Sequence, residues 1–274
     1  MKKNKNIGFI GAGNIATSII AGLIKQKVDK KNIFSSSPDQ ADLDNLSRLY
    51  SVNVTSDNKK IISSCSIIIL AVKPQVVKKI IHEIKKTLSL ENPLLISVAA
   101  GIKISFLESL TTKNQKIVRV MPNTPVSIGK GVSALCCNSS VSVENREEAE
   151  RIFNSVGSTY WIQENSFDLY TALIGSGPAY IFYFLESLRK AAKELNVEQS
   201  KIEKLILEMV IGSAKLARDS AEDPESLRKK VTSPGGVTEK AIEVLEDNKF
   251  SEVLIKAIKA GEKRSFDLGE KEDD

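Results

Sequence analysis

Gly11-Ala12-Gly13-Asn14-Ile15-Ala16 spells G-x-G-x-x-A directly after a hydrophobic run, Ile7 to Ile10, and directly before a helix-like stretch. That spacing suits one task above others, which is bringing main chain against a pyrophosphate. Gly11 permits the tight turn, Gly13 lets the diphosphate approach the backbone, and Ala16 is small enough for the helix to close on the strand. The helix start then offers free N–H donors and the positive end of its dipole. Ordinary turns in α/β proteins also use glycine, and it is the strand before and the helix after that favour a dinucleotide here. Ala12, Asn14 and Ile15 complete the expected binding turn.

The end of the second expected strand speaks to which dinucleotide. NAD-specific sites place an acidic residue about 20 residues beyond the fingerprint to hold the ribose hydroxyls. Here that place holds Ser35-Ser36-Ser37-Pro38, with Asp39 beyond the proline and no arginine nearby. Serine hydroxyls, and the N–H groups of a helix opening after Pro38, can donate to a 2′-phosphate, so NADPH is the favoured cofactor and NADH a possible one. Two further strand ends point into the same crevice. In Ala71-Val72-Lys73-Pro74-Gln75, Pro74 pre-forms a turn and Lys73 can face phosphate or ribose. In Ser97-Val98-Ala99-Ala100-Gly101, the small Ala99, Ala100 and Gly101 leave room for a flat nicotinamide ring. Tight turns and a surface lysine are the plain alternative for either motif taken alone.

Other chemistries are poorly supplied. The chain has one histidine, His82, in a helix-like pattern, which nearly excludes zinc sites and histidine relays. Cys65, Cys136 and Cys137 lack metal-ligand spacing, and the adjacent pair cannot readily bridge, so reduced structural thiols are expected. With 39 basic against 34 acidic residues the surplus is small and dispersed, no signature of a nucleic-acid partner. The basic start Lys2, Lys3, Lys5 precedes too short an apolar run for a signal peptide, and nothing approaches the ~18 apolar residues of a membrane span. The cytoplasm is the expected compartment.

These motifs need a scaffold, and the hydrophobic rhythm describes one. At 274 residues and 42% hydrophobic, the chain can bury a substantial core. Strands are expected at residues 7–10, 32–35, 52–54, 66–72, 94–98 and 116–120, with weaker signals at 132–137 and 159–162. Helices are expected between them at 15–27, 41–49, 76–88 and 144–156. Such alternation predicts βαβ units around a mostly parallel sheet, with the doubly apolar stretch 66–72 at its centre. The texture changes near Glu164: stretches 179–195, 200–220 and 249–268 are helical, and the end 269–274 reads as a frayed tail. The fold class is therefore α/β, a Rossmann-like domain over residues 1–164 followed by an all-helical domain over 165–274.

Three further motifs stand out: Arg119-Val120-Met121-Pro122-Asn123-Thr124-Pro125, Gly175-Ser176-Gly177-Pro178-Ala179-Tyr180, and Ser233-Pro234-Gly235-Gly236-Val237-Thr238. Together with the glycine turn and the two strand-end motifs, in order from about Ile7 to Leu268, the chain resembles the pyrroline-5-carboxylate reductases. The resemblance implies hydride transfer from NAD(P)H to the C=N carbon of 1-pyrroline-5-carboxylate, giving L-proline. It implies that Ser233, Gly235, Gly236 and Val237 bind the substrate, the glycine N–H groups at a helix start meeting its carboxylate. Thr238, one turn on, would hydrogen-bond the ring nitrogen as the catalytic residue. Glu164 would lie near the substrate, and Asn58 and Asn123 near the cofactor. Val237 departs from the small residue or threonine that many members carry there. The resemblance further implies a homodimer through the helical domain, sites completed across it, and rings of dimers. Rival readings are a related imine reductase, a β-hydroxyacid reductase and a non-catalytic NADP-binding protein; the hydroxyacid enzymes generally use a lysine on a helix of the second domain.

Overall fold

The computed structural model describes residues 6–197 and 199–273. In chain order it begins β1 (Ile7–Ile10), α1 (Asn14–Lys25), β2 (Ile33–Ser36), α2 (Gln40–Tyr50), β3 (Asn53–Thr55), α3 (Asn58–Ser64) and β4 (Ile67–Leu70). It continues α4 (Val77–Glu91), β5 (Leu94–Ser97), α5 (Ile104–Leu110), β6 (Ile117–Pro122), β7 (Gly131–Cys137), α6 (Val143–Asn154) and β8 (Gly157–Trp161). Helical segments follow: α7 (Phe167–Tyr170) with a π turn at Thr171–Gly175, then α8 (Gly177–Glu194), α9 (Gln199–Asp219), α10 (Pro224–Lys230), α11 (Val237–Asp247) and α12 (Phe250–Asp273).

The eight strands form one sheet ordered β3-β2-β1-β4-β5-β6-β7-β8, and every pairing is parallel except β6 with β7. Strand order reverses between β1 and β4, and Ile10 lies level with both Ser36 and Leu70. The loops leaving β1, β2 and β4 therefore emerge together at the carboxyl edge, where doubly wound sheets bind ligands. The four residues of β4 are each 2% exposed or less, as its central place requires. Helices cover both faces. α1 turns Ala16, Ile19, Ile20 and Leu23 onto one face with Phe9 and Ile69, while α4 turns Val77, Ile81, Ile84 and Leu88 onto the other with Ile68 and Leu70. Spacings of three and four residues put each set on a single helical stripe.

Two compact units result, residues 1–176 with 260–274 and residues 177–259. The units contrast in their cores. Among the described apolar residues of the second, only Ala192 and Ile206 are buried, while Ile181, Phe182, Tyr183, Leu205, Leu216 and Val253 are all at least half exposed. A helical unit with its apolar stripes in the open has no core of its own. The expected frayed tail is not what forms: α12 continues to Asp273. Gly269 is buried, and a side chain on it would meet the Gly101 carbonyl oxygen at 3.0 Å. A tertiary neighbour holds a helix end whose composition alone would fray.

Candidate active site

Gly11 sits at φ +105, in the left-handed region, and a Cβ there would lie 2.8 Å from the Ala71 carbonyl carbon and closer still to its oxygen. Its N–H extends the sheet by donating to the Ser36 carbonyl at 2.8 Å. Both the dihedral and the space demand glycine. Gly13 differs: it is exposed, nothing lies within 4 Å of where its Cβ would be, and it is the N-cap of α1 with no side chain capping the helix. Asn14 is exposed and Ile15 half-buried, whereas Ala12 and Ala16 are buried beneath them. An open main-chain surface leading to uncapped helix N–H groups fits a pyrophosphate, the anion for which the spacing calls.

The serines after β2 are placed differently from what their hydroxyls suggest in sequence. Ser35 and Ser36 are fully buried, because this sheet is covered on both faces and alternate side chains find no solvent. Ser36 donates its one proton to the Asn58 side-chain oxygen at 2.7 Å, and the Asn58 amide donates in turn to Glu83 at 3.2 Å. Ser35 points at the Gly11 carbonyl from 3.5 Å. Ser37 accepts the Asp39 N–H at 3.1 Å and directs its hydroxyl to the Asp42 carboxylate at 3.4 Å. Asp39 caps α2 through the Ala41 N–H at 2.9 Å.

Around the next strand ends, Lys73 is exposed and precedes a short 3-10 turn opened by Pro74, while Ala71 and Val72 are half-buried. Ala99 is buried, Ala100 exposed, and Gly101 takes φ +77 against Leu268 of α12. A clamp between residues far apart in sequence fixes the following turn. Arg119, 4% exposed in β6, pairs with Glu164 at 3.1 Å and stacks over the Phe167 ring at 4.2 Å. The same Glu164 oxygen accepts the Ile104 N–H at 2.8 Å, capping α5 from 60 residues away. A lone arginine within the apolar stretch Ile117-Val118-Arg119-Val120 was the available signal, since a charge in a buried strand needs a partner. Nearby, Ser265 of α12 donates to Asp168 at 2.7 Å. Asn123 is also engaged, its amide donating to the Ile174 carbonyl at 3.2 Å and accepting the Val132 N–H at 2.9 Å.

Of the thiols, burial pushes Cys65 and Cys136 up to about 12, and raises Cys137 against the opposing charge of Arg146. None is a poised nucleophile. His82 is exposed on α4, and among the described residues no cluster of His, Cys, Asp or Glu could hold a metal.

In the second unit, the Ser-Pro-Gly-Gly segment is the turn between α10 and α11. Gly235 stands at φ +71, the Gly236 N–H returns to the Ser233 carbonyl at 2.9 Å, and Gly236 is the N-cap of α11 without a side-chain cap. Glu239, in the first turn of α11, reaches back to accept the Gly235 N–H at 2.7 Å. Val237 is 90% exposed and begins the helix; Thr238 follows it.

A doubly wound sheet with an open glycine turn at its switch point, followed by a helical unit, defines a Rossmann-type dinucleotide-binding protein. A family described as pyrroline-5-carboxylate reductase dimerisation matches residues 164–268, and one described as NADP oxidoreductase, coenzyme F420-dependent, matches residues 6–101. Pyrroline-5-carboxylate reductase of Pseudomonas aeruginosa is 34% identical over 96% of this chain and 97% of its own length. That of Arabidopsis thaliana is 34% identical, with 96% and 95% covered. Among solved structures, a pyrroline-5-carboxylate reductase from Coxiella burnetii superposes with TM-score 0.91 at 37% identity, covering 97% of this chain and 99% of that one. The Plasmodium falciparum pyrroline carboxylate reductase, solved with NADP bound, gives TM-score 0.88 at 32% identity, with 97% and 99% covered. The chain belongs to the pyrroline-5-carboxylate reductase family.

Proposed function

We propose that this protein reduces 1-pyrroline-5-carboxylate to L-proline with NADPH, NADH serving as a second donor. The observation that carries the reading is the start of α11, where the Gly235 N–H already holds a carboxylate oxygen, that of Glu239, at 2.7 Å. In the proposed complex the substrate carboxylate takes over that donor, helped by the Ser233 hydroxyl and by the Gly236 N–H, which exchanges its present acceptor, the Ser233 carbonyl, for the substrate, with Val237 as a wall. Thr238 hydrogen-bonds the ring nitrogen. Bound NADPH supplies the hydride that the C=N carbon accepts. The iminium form brings its own proton on nitrogen, so the chain supplies position more than acid. That agrees with a site that holds no histidine.

For the cofactor, residues 11–15 cradle the pyrophosphate. The adenosine end is assigned to the turn of Ser35, Ser36 and Ser37 with Asn58, and the nicotinamide end to residues 71–74, 99–101 and Asn123. Residues 1–164 are the proposed dinucleotide-binding domain and 165–274 the substrate and dimerisation domain. The exposed apolar stripes of α8, α9 and α12 support a homodimer, with dimers joining into a ring. The proposed compartment is the cytoplasm. Free cysteines accord with it, and among the described residues no helix is long and apolar enough to cross a membrane.

The direct test follows the loss of reduced-nicotinamide absorbance from NADPH, and separately from NADH, with pyrroline-5-carboxylate as acceptor. Turnover with NADPH is the expected result; none with either donor overturns the proposal.

A further inference from the structure

Resting on the dinucleotide reading above, we propose that Asp42 is the residue that sets the NADPH to NADH ratio, opposing the 2′-phosphate and keeping NADH competitive. A 2′-phosphate carries charge that NADH lacks, and at this fold's β2 end it needs cations or uncommitted donors. The turn offers few of either. Residues 32–47 contain no lysine or arginine and three aspartates, Asp39, Asp42 and Asp44. The hydroxyls of Ser35 and Ser36 are sealed in the protein, and the second is spent on Asn58. At the helix start, the Asp39 N–H goes to Ser37 and the Ala41 N–H to Asp39.

Ser37 is the third hydroxyl of the turn, 6% exposed, and its proton points to Asp42 Oδ2 at 3.4 Å. That contact has two consequences of the same sign. The hydroxyl a phosphate would use is committed to a carboxylate, and the carboxylate stands one hydrogen bond away from where the phosphate would sit. Like charges at that separation repel even through partly aqueous surroundings. For the plain ribose of NADH the same carboxylate is an acceptor for a hydroxyl, the role an acidic residue plays in NAD-selective sites. Asp44, by contrast, is tied to Gln40 on the exposed flank of α2 at 2.8 Å.

The test measures dissociation constants of NADPH and NADH for the intact protein by nicotinamide fluorescence, without substrate, in the unaltered chain and in Asp42→Asn and Asp42→Glu. Asn is isosteric and uncharged, whereas Glu keeps the charge. The expected result is NADPH tightening by about tenfold in Asp42→Asn while NADH stays within about twofold or weakens. Asp42→Glu should keep the original ordering. Equal changes for both cofactors, or none in Asp42→Asn, overturn the role of Asp42 while leaving the dinucleotide reading intact. Failure of the unaltered chain to bind either cofactor overturns that reading, and this inference with it.

Discussion

Two glycine turns in this chain are built alike and finished differently. Each has a glycine at positive φ, Gly11 at +105 and Gly235 at +71, and each ends in a glycine N-cap that leaves a helix start without a side-chain cap. The first is wedged into the sheet, with Ala71 against Gly11 and the Ser36 carbonyl taking its N–H. The second stands clear, with nothing within 4 Å of a Cβ placed on Gly235, and a carboxylate from its own helix answers its N–H. The same local geometry is thus locked by packing neighbours in one unit and left open in the other. What separates them is the neighbour each turn has within its own unit.

The contrast is broken first by putting an alanine in each turn. Gly11→Ala meets a backbone carbonyl as well as an unfavourable φ, and should cost at least ~3 kcal/mol with loss of NADPH binding. Gly235→Ala meets only the φ, and should cost about 1 kcal/mol. Thermal unfolding of the two variants checks this, and comparable losses would erase the distinction. Next in size is Glu164→Ala, which leaves Arg119 buried without its partner and α5 without its cap; ~2 kcal/mol is expected, discounted because Glu164 is about a third exposed. Its readout is urea unfolding, and an unchanged midpoint would show the clamp to be ornamental.

Thr238→Ala sharpens the comparison from the chemical side. Losing one hydrogen bond to the reacting nitrogen, ~1–3 kcal/mol, should lower kcat/KM by roughly 10- to 100-fold with NADPH affinity unchanged. A rate equal to the original removes Thr238 from the mechanism. The smallest effect expected is from Glu239→Ala. Vacating the Gly235 N–H removes an internal competitor for the substrate carboxylate, so KM for pyrroline-5-carboxylate should fall by about two- to fivefold at constant kcat. A rise in KM would mean that Glu239 organises the turn rather than occupying it.

Much of the first unit was legible because strands covered on both faces are written as uninterrupted apolar runs. Ile67 to Leu70 announced its central place, and the expected strand ends fall within a few residues of those observed. The short helices α3 and α5 leave no period in the sequence: at seven residues each they carry too few turns to display one, and α5 takes its cap from distant Glu164. Hydroxyl direction was equally invisible. Ser35, Ser36 and Ser37 look interchangeable in sequence, yet each is bonded to a different partner, and only the packing of β2 between β1 and β3 decides which one reaches the rim.

By itself the sequence determined the βαβ rhythm, the position of both glycine turns and the types of residue around them, because periodicity and backbone permissiveness are local properties of the chain. Tertiary structure alone decided that Gly11 is jammed against Ala71, that Arg119 and Glu164 meet across 45 positions, that α12 stays helical to Asp273 beside Gly101, and that Asp42 faces Ser37. Charges, hydroxyls and close backbone contacts act over a few ångströms in space, and no spacing along the chain records which of them the fold will bring together.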